Sequence, residues 1–267
     1  MKAIAVLSTK RITPRISNLQ KASFGKRIIS AIFDGILLSI LAVGLAAVLS
    51  LAFGYNGYIQ NLIDISTKYE KQYGVEFQIN QEEFNALTEA EKENWHAANK
   101  AFGDDSEARY NYSMLINLSL LIVTFSILPA VLGLEFVVPL LFGNGQTLGK
   151  KIFGIALMNT ESVKVTNVQL FARAILGKFA IEIMIPLSII LMMFFNSIGI
   201  LGGLILIGIL IIEAICIIST NTNSAIHDLL AQTVAVDMAS QRIFESRDDL
   251  IEYTKARHAE AAAKATY

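Results

Sequence analysis

Four stretches of this chain, residues 28–53, 114–142, 175–195 and 198–219, run for about 20 residues or more with almost no charge. At about 1.5 Å per residue, each can cross a hydrocarbon core of roughly 30 Å as a helix. Lipid supplies no partners for backbone N–H and C=O groups, so such stretches satisfy them internally as helices. Charged residues make up only 17% of the chain, against about 25% in a soluble domain. The sequence predicts an all-α integral membrane protein, a four-helix transmembrane bundle with spans at 27–53, 113–142, 175–195 and 198–220.

The formal net charge of −1 hides an asymmetry that orients the bundle. Before the apolar stretch that starts at Ile28 lie seven basic residues (Lys2, Lys10, Arg11, Arg15, Lys21, Lys26, Arg27) and no acid. The loop 54–111 carries five basic and eleven acidic residues. The loop after the second span is basic again, with Lys150, Lys151, Lys164 and Arg173 against Glu161. The Asn196–Ser197 connection is too short to contribute. Basic loops stay in the cytoplasm, so the expected location is a cell membrane with both termini inside. Segment 1–26 is then cytoplasmic, 54–112 extracytoplasmic, 143–174 a cytoplasmic loop and 221–267 a cytoplasmic tail. The apolar run 3–7 is too short for the core of a cleavable signal. The single cysteine, Cys216, excludes an internal disulfide.

Local signals add detail. Asn80-x-x-Glu83 and Thr88-x-x-Glu91 match the capping box, so the acidic loop is expected to be partly helical and its acids to form a solvated face. Gly103-Asp-Asp105 reads as a turn, since the ligand spacing of a calcium loop is absent. Pro129 and Pro139 break the hydrogen-bond ladder of the second span on either side of Glu135. Segments 155–159 and 163–166 read as a small cytoplasmic β-hairpin with a third strand from 233–236. Residues 167–178 are expected to run along the membrane surface into the third span, with Arg173 and Lys178 toward lipid phosphates. The tail beyond Met238 reads as a charged, alanine-rich helix.

Each span carries one carboxylate: Asp34, Glu135, Glu182 and Glu213. A charge inside the bilayer costs at least about 2.5–3.5 kcal/mol. Asp34 is seven residues past Arg27, Glu135 nine before Asn144, Glu182 nine past Arg173 and Glu213 eight before Asn221. These spacings place all four roughly 10–14 Å from the cytoplasmic face. Such a layer needs protons or cations to be stable. The bases nearest in depth are Arg27, for Asp34, and Lys178, for Glu182, which leaves Glu135 and Glu213 without an evident partner. Acids of this kind suit proton or cation exchange; the alternative is that each snorkels, stays protonated or bonds a neighbouring helix. His227-Asp228, after the fourth span, adds a titratable pair at the rim, and Asp228 is a natural partner for Arg27.

Three motifs carry a resemblance: Arg27-x6-Asp34, the Gly-Gln-Thr-Leu-Gly-Lys-Lys-x-x-Gly segment at 145–154, and His-Asp-Leu-Leu-Ala-x-Thr-Val at 227–234. Together they resemble the RDD family of membrane proteins over about residues 22–53 and 112–238. The family signature, one arginine and two aspartates, maps onto Arg27, Asp34 and Asp228. One departure is the stretch Asn221-Thr-Asn-Ser224, where members often carry a basic residue. The resemblance implies a polytopic membrane protein, with cation/proton exchange attributed to some members.

The leading expectation is a small secondary transporter, or a component of one, exchanging a monovalent cation for protons. Asp34, Glu135 and Glu213 would be the exchanging acids, Glu182 a further member of the layer and Arg27–Asp228 an inner gate. The alternative is a non-transporting membrane adaptor that binds partner proteins. Expected partners are membrane lipids, the cation and the proton, and a second copy or a partner membrane protein, with no nucleic acid. No cofactor or metal site is expected. No HExxH, GxSxG or multi-histidine set is present and the three histidines lie far apart in sequence, so the chain is not expected to be an enzyme.

Overall fold

The computed structural model describes residues 19–195 and 197–265. The basic residues Lys2, Lys10, Arg11 and Arg15, most of segment 1–26, and Asn196 of the short connection lie outside the described residues. The elements are α1 (Phe24–Ala52), α2 (Tyr55–Tyr73), α3 (Gln81–Ala86), α4 (Glu89–Asp104), α5 (Ser106–Phe142), α6 (Leu148–Ile152), β1 (Ile155–Asn159), α7 (Asn167–Phe194), α8 (Gly199–Ser219), α9 (Ile226–Ala231), β2 (Thr233–Asp237) and α10 (Arg247–Ala265). Helices α1, α5, α7 and α8 are long and apolar enough to cross a membrane. Their isoleucines, leucines and valines, among them Ile40, Val43, Leu141, Leu204 and Leu210, stay exposed, as expected where lipid is the solvent.

Two of these helices depart from α geometry. In α5 the segment Leu132–Val137, between Pro129 and Pro139, is a π-helix. Proline removes an N–H donor, and the ladder shifts register instead of breaking. In α7 the π-segment is longer, Ala172–Met184. Residues 167–178 lead directly into the third span: Thr166 caps α7 with a full capping box to Gln169, and the helix continues unbroken to Phe194.

The described residues divide into two units, one comprising 19–38 and those from Ala130 onward, the other Ser39–Pro129. In the second unit α1 ends at Ala52, and Gly54 takes a left-handed φ of 63°. Both capping boxes form, Asn80 with Glu83 and Thr88 with Glu91. Helix α2 packs on α4 through Tyr69 and Phe102, and the Trp95 indole donates to the Glu76 carbonyl at 3.1 Å. Asp105 accepts the Glu107 and Ala108 backbone N–H groups at 2.8 and 2.9 Å and so starts α5. Several acids of this segment are occupied as helix caps.

In the first unit β1 pairs antiparallel with β2, Leu157 opposite Ala235. The expected hairpin between 155–159 and 163–166 reduces to one bridge, Met158 to Lys164. The reason is local. Asn159 Oδ1 accepts the Glu161 and Val163 N–H groups, Ser162 turns at φ 64°, and Thr166 already caps α7. Too little extended chain remains, and β2 takes the free edge. Residues flanking the sheet extend it: Ala22 N–H donates to Ala235 O at 3.2 Å, Asp237 N–H to Gln20 O at 3.1 Å, and Lys164 N–H to Phe244 O at 2.8 Å. Ile155, Leu157, Met158, Val234 and Val236 form the core of this layer and are almost wholly buried.

Candidate functional site

One stripe of α1 begins the site. Arg27, Ser30 and Asp34 follow at i, i+3 and i+7 and share a face. Ser30 and Asp34 are buried, while Ile28, Ile29, Ile32 and Ile36 around them are exposed. Segment 145–154 meets Asp34 directly. The Thr147 hydroxyl donates to Oδ2 at 2.5 Å and the Gly149 N–H donates to Oδ1 at 2.7 Å. A Cβ on Gly149 would lie 2.5 Å from the Ser30 carbonyl oxygen and 3.0 Å from Asp34 Cγ. Glycine is thus a steric condition for this contact. Lys150 Nζ donates to Thr147 Oγ1 at 3.2 Å and stands 3.9 Å from Asp34 Oδ2.

The π-segment of α7 supplies most of the remaining charge. On an α-helix, positions five and nine apart point roughly 140° and 180° away from each other. Bonding from i to i+5 widens the turn and brings Arg173, Lys178 and Glu182 to one side. Arg173 Nε donates to Asp228 Oδ1 at 2.9 Å, and its NH1 lies 3.7 Å from Glu135 Oε2. Lys178 Nζ binds Glu135 Oε1 directly. Helix α9 closes against this face at Gly177, where a Cβ would sit 2.4 Å from the His227 Cβ.

His227 has a defined tautomer. A guanidinium only donates, so the Arg173 NH2 group 2.8 Å from Nε2 makes that nitrogen the acceptor. Nδ1 then carries the proton and donates to Glu182 Oε1 at 2.7 Å. The His227 backbone N–H donates to the same oxygen at 2.9 Å. Burial, aided by Arg173, holds the imidazole below the ordinary histidine value despite Asp228 and Glu182. For Asp228 burial alone would act upward, but His227, Arg173 and Arg27 overcome it and keep its carboxyl well below the usual range. Arg27 NH2 lies 3.3 Å from Asp228 Oδ2, and the Thr233 hydroxyl donates to Oδ1 at 3.1 Å. Burial, the Arg173 guanidinium and the Lys178 ammonium together bring Lys150 down to about 7, against the pull of Glu135 and Asp34.

These side chains surround a cavity of about 310 Å³. Its polar wall comprises Arg27, Ser30, Lys150, Arg173, Lys178, Glu182, Glu213, His227 and Asp228, and its apolar wall includes Ile28, Ala31, Ile155 and Ile217. Glu213 reaches it from α8. The Ile226 amide faces this carboxyl, but Oε2 is buried and accepts no hydrogen bond among the described residues.

The four intramembrane acids therefore fall into two classes. Glu182 and Glu213 line the cavity. Asp34 and Glu135 do not: hydrogen bonds hold Asp34 beside it and ion pairs hold Glu135, whose Oε2, like that of Glu213, accepts no hydrogen bond among the described residues. Glu135 was expected to lack a partner, and that expectation is corrected: it has Arg173 and Lys178. Lys178 pairs with Glu135 and not with Glu182, whose partner is His227. Arg27 lies against Asp228, as expected, while Asp34 is served by Thr147, Gly149 and Lys150. Arg173 is buried in ion pairs rather than facing lipid phosphates. In the stretch 221–224, Asn223 has a left-handed φ of 52°; its backbone carbonyl accepts from Arg27 and its Oδ1 accepts from Lys21 Nζ at 2.9 Å. Sequence reasoning missed Thr147, Lys150 and Gly177 as parts of the site. The first two stood inside a recognised motif, but nothing in it named Asp34 as their partner.

The model of the RDD family matches residues 21–232, most of the chain, including the long segment between α1 and α5. No curated protein and no solved structure matches the chain.

Proposed function

The chain belongs to the RDD family, and from that premise we propose that it is a small secondary transporter, or a component of one, that exchanges a monovalent cation for protons through the cavity between α1, α7, α8 and α9. The observation that carries this reading is Glu213. Its Oε2 is buried without a hydrogen-bond donor, on a cavity it shares with Glu182 and His227. A carboxyl oxygen in that setting is stabilised by a proton or a cation beside it. A single such carboxylate neutralises one positive charge, which favours a monovalent ion over a divalent one.

In this reading Glu213 is the group the cation meets, and Glu182–His227 is a titratable pair in the same wall. Asp34 and Glu135, first considered as exchanging acids, instead hold the frame: one locks α1 to α6, the other α5 to α7. Arg27–Asp228 is the inner gate, with Arg27 the more accessible partner. The charge asymmetry of the loops supports a cell-membrane location with both termini in the cytoplasm.

Everted membrane vesicles containing the protein, energised to an acid interior, test the reading. Addition of Na⁺ or K⁺ should collapse the pH gradient, and Glu213→Gln should abolish that response at equal expression. A response in Glu213→Gln equal to the native one would remove Glu213 from the mechanism. No response in the native protein to any alkali cation would refute the exchange reading.

A further inference from the structure

The cations of this site are matched unevenly. Arg27 and Arg173 reach Asp228 oxygens at 3.3 and 2.9 Å, and Lys178 binds Glu135 directly. Lys150 has a looser one. Its Nζ hydrogen-bonds Thr147 Oγ1 at 3.2 Å and stands 3.9 Å from Asp34 Oδ2. Both Asp34 oxygens already accept from Thr147 and Gly149. Yet the Lys150 side chain is only 10% exposed and lines the cavity that Glu213 lines. One wall therefore holds a buried ammonium whose ion pair, to Asp34, is a long one, and another holds a carboxyl oxygen without a donor.

We propose that Lys150 carries the exchanged proton, and that the Lys150 proton and a monovalent cation occupy the cavity alternately. This rests on the exchange reading above and adds its proton carrier. When the cation enters, one N–H bond of the ammonium breaks, the electron pair stays on nitrogen and the proton leaves to water. When the cation departs, the amine takes a proton back. One positive charge replaces another, so the cavity keeps its net charge through the cycle. The groups that face Lys150 fit this role. Asp34 on α1 and Glu135 on α5 favour the ammonium, while Arg173 and Lys178 on α7 oppose it, as does burial. The resulting balance near neutrality lets a modest change in local charge, such as an arriving cation, tip the amine to its neutral form.

The test uses the full-length protein purified in detergent, with NaCl and KCl as probes, and reads cation binding and proton release together. A pH indicator in weakly buffered solution should report about one proton released per cation bound by the native protein. Apparent affinity should rise about tenfold per pH unit below pH 7. Lys150→Met should bind the cation with no proton release and with affinity flat between pH 6 and 8. Lys150→Arg, whose guanidinium does not deprotonate, should lose cation binding at least tenfold at every pH. Proton release from Lys150→Met equal to the native value would overturn the assignment while leaving cation exchange intact. Absence of cation binding and exchange in the native protein would overturn both. Should Lys150→Met fail to fold, Lys150→Arg decides alone: native exchange with a permanent charge at 150 overturns the proposal.

Discussion

Arg173 donates through Nε to Asp228 Oδ1 at 2.9 Å, with the two side chains 3% and 1% exposed. This bond joins the π-segment of α7 to the His-Asp motif on α9. Both ions have further partners, Arg173 in Glu135 and His227, Asp228 in Arg27 and Thr233. Breaking a buried pair by removing one member costs about 3–5 kcal/mol. Arg173→Ala should therefore lower the melting temperature in detergent sharply. Arg173→Lys should recover only part of it, because an ammonium cannot serve Asp228, His227 and Glu135 through one planar fork.

Gly149→Ala should uncouple α6 from α1. Its Cβ would meet the Ser30 carbonyl and the Asp34 carboxyl, so the Gly149–Asp34 hydrogen bond must lengthen. Overpacking of this kind costs about 1–3 kcal/mol. The melting temperature of Gly149→Ala should fall, and Asp34→Asn should add little further loss on top of it. Full additivity of the two changes would show that they act at separate places.

Glu135→Gln and Glu213→Gln should move stability in opposite senses. The first leaves Lys178 and Arg173 short of a countercharge, so it should destabilise. The second replaces an acid whose Oε2 has no donor, so it should be neutral or stabilising. Parallel thermal melts at one pH decide this, and equal losses in the two variants would contradict the division of the acids into two classes.

Two groups give a pH signature. Lys150 falls from an ordinary lysine value to about 7 in the fold, so the unfolded chain binds more protons above that point. Stability should therefore rise as the pH increases from about 7 toward 10. Lys150→Met should flatten that rise. His227 also lies below its ordinary value, so acidification through the range below about 6.5 should destabilise the native protein. His227→Gln should lessen that loss. Melting temperatures at successive pH values for the native protein and both variants check each sign.

The spanning helices were legible because length and apolar composition decide them, whatever else the chain does. The capping boxes at Asn80 and Thr88 were legible because four residues contain the whole device. The partners of Glu135 were not. Their assignment depends on a π-segment that turns Lys178 and Arg173 toward one side, and an α-helical reading of 172–184 sends them apart. The strand pieces were visible from their β-branched residues, but their pairing was not. The turn at 159–163 consumes the second piece, and β2, far along the chain at Thr233–Asp237, supplies the longer match. Gly149 and Gly177 were visible as glycines; only the close approaches to Ser30 and His227 show why nothing larger fits.

Alkali-cation uptake into proteoliposomes driven by an outward proton gradient tests the central claim most directly. The native protein should accumulate ²²Na⁺ or ⁸⁶Rb⁺, and Glu213→Gln should lose at least tenfold of that uptake with no fall in melting temperature. Native-level, proton-driven uptake in Glu213→Gln would contradict the account.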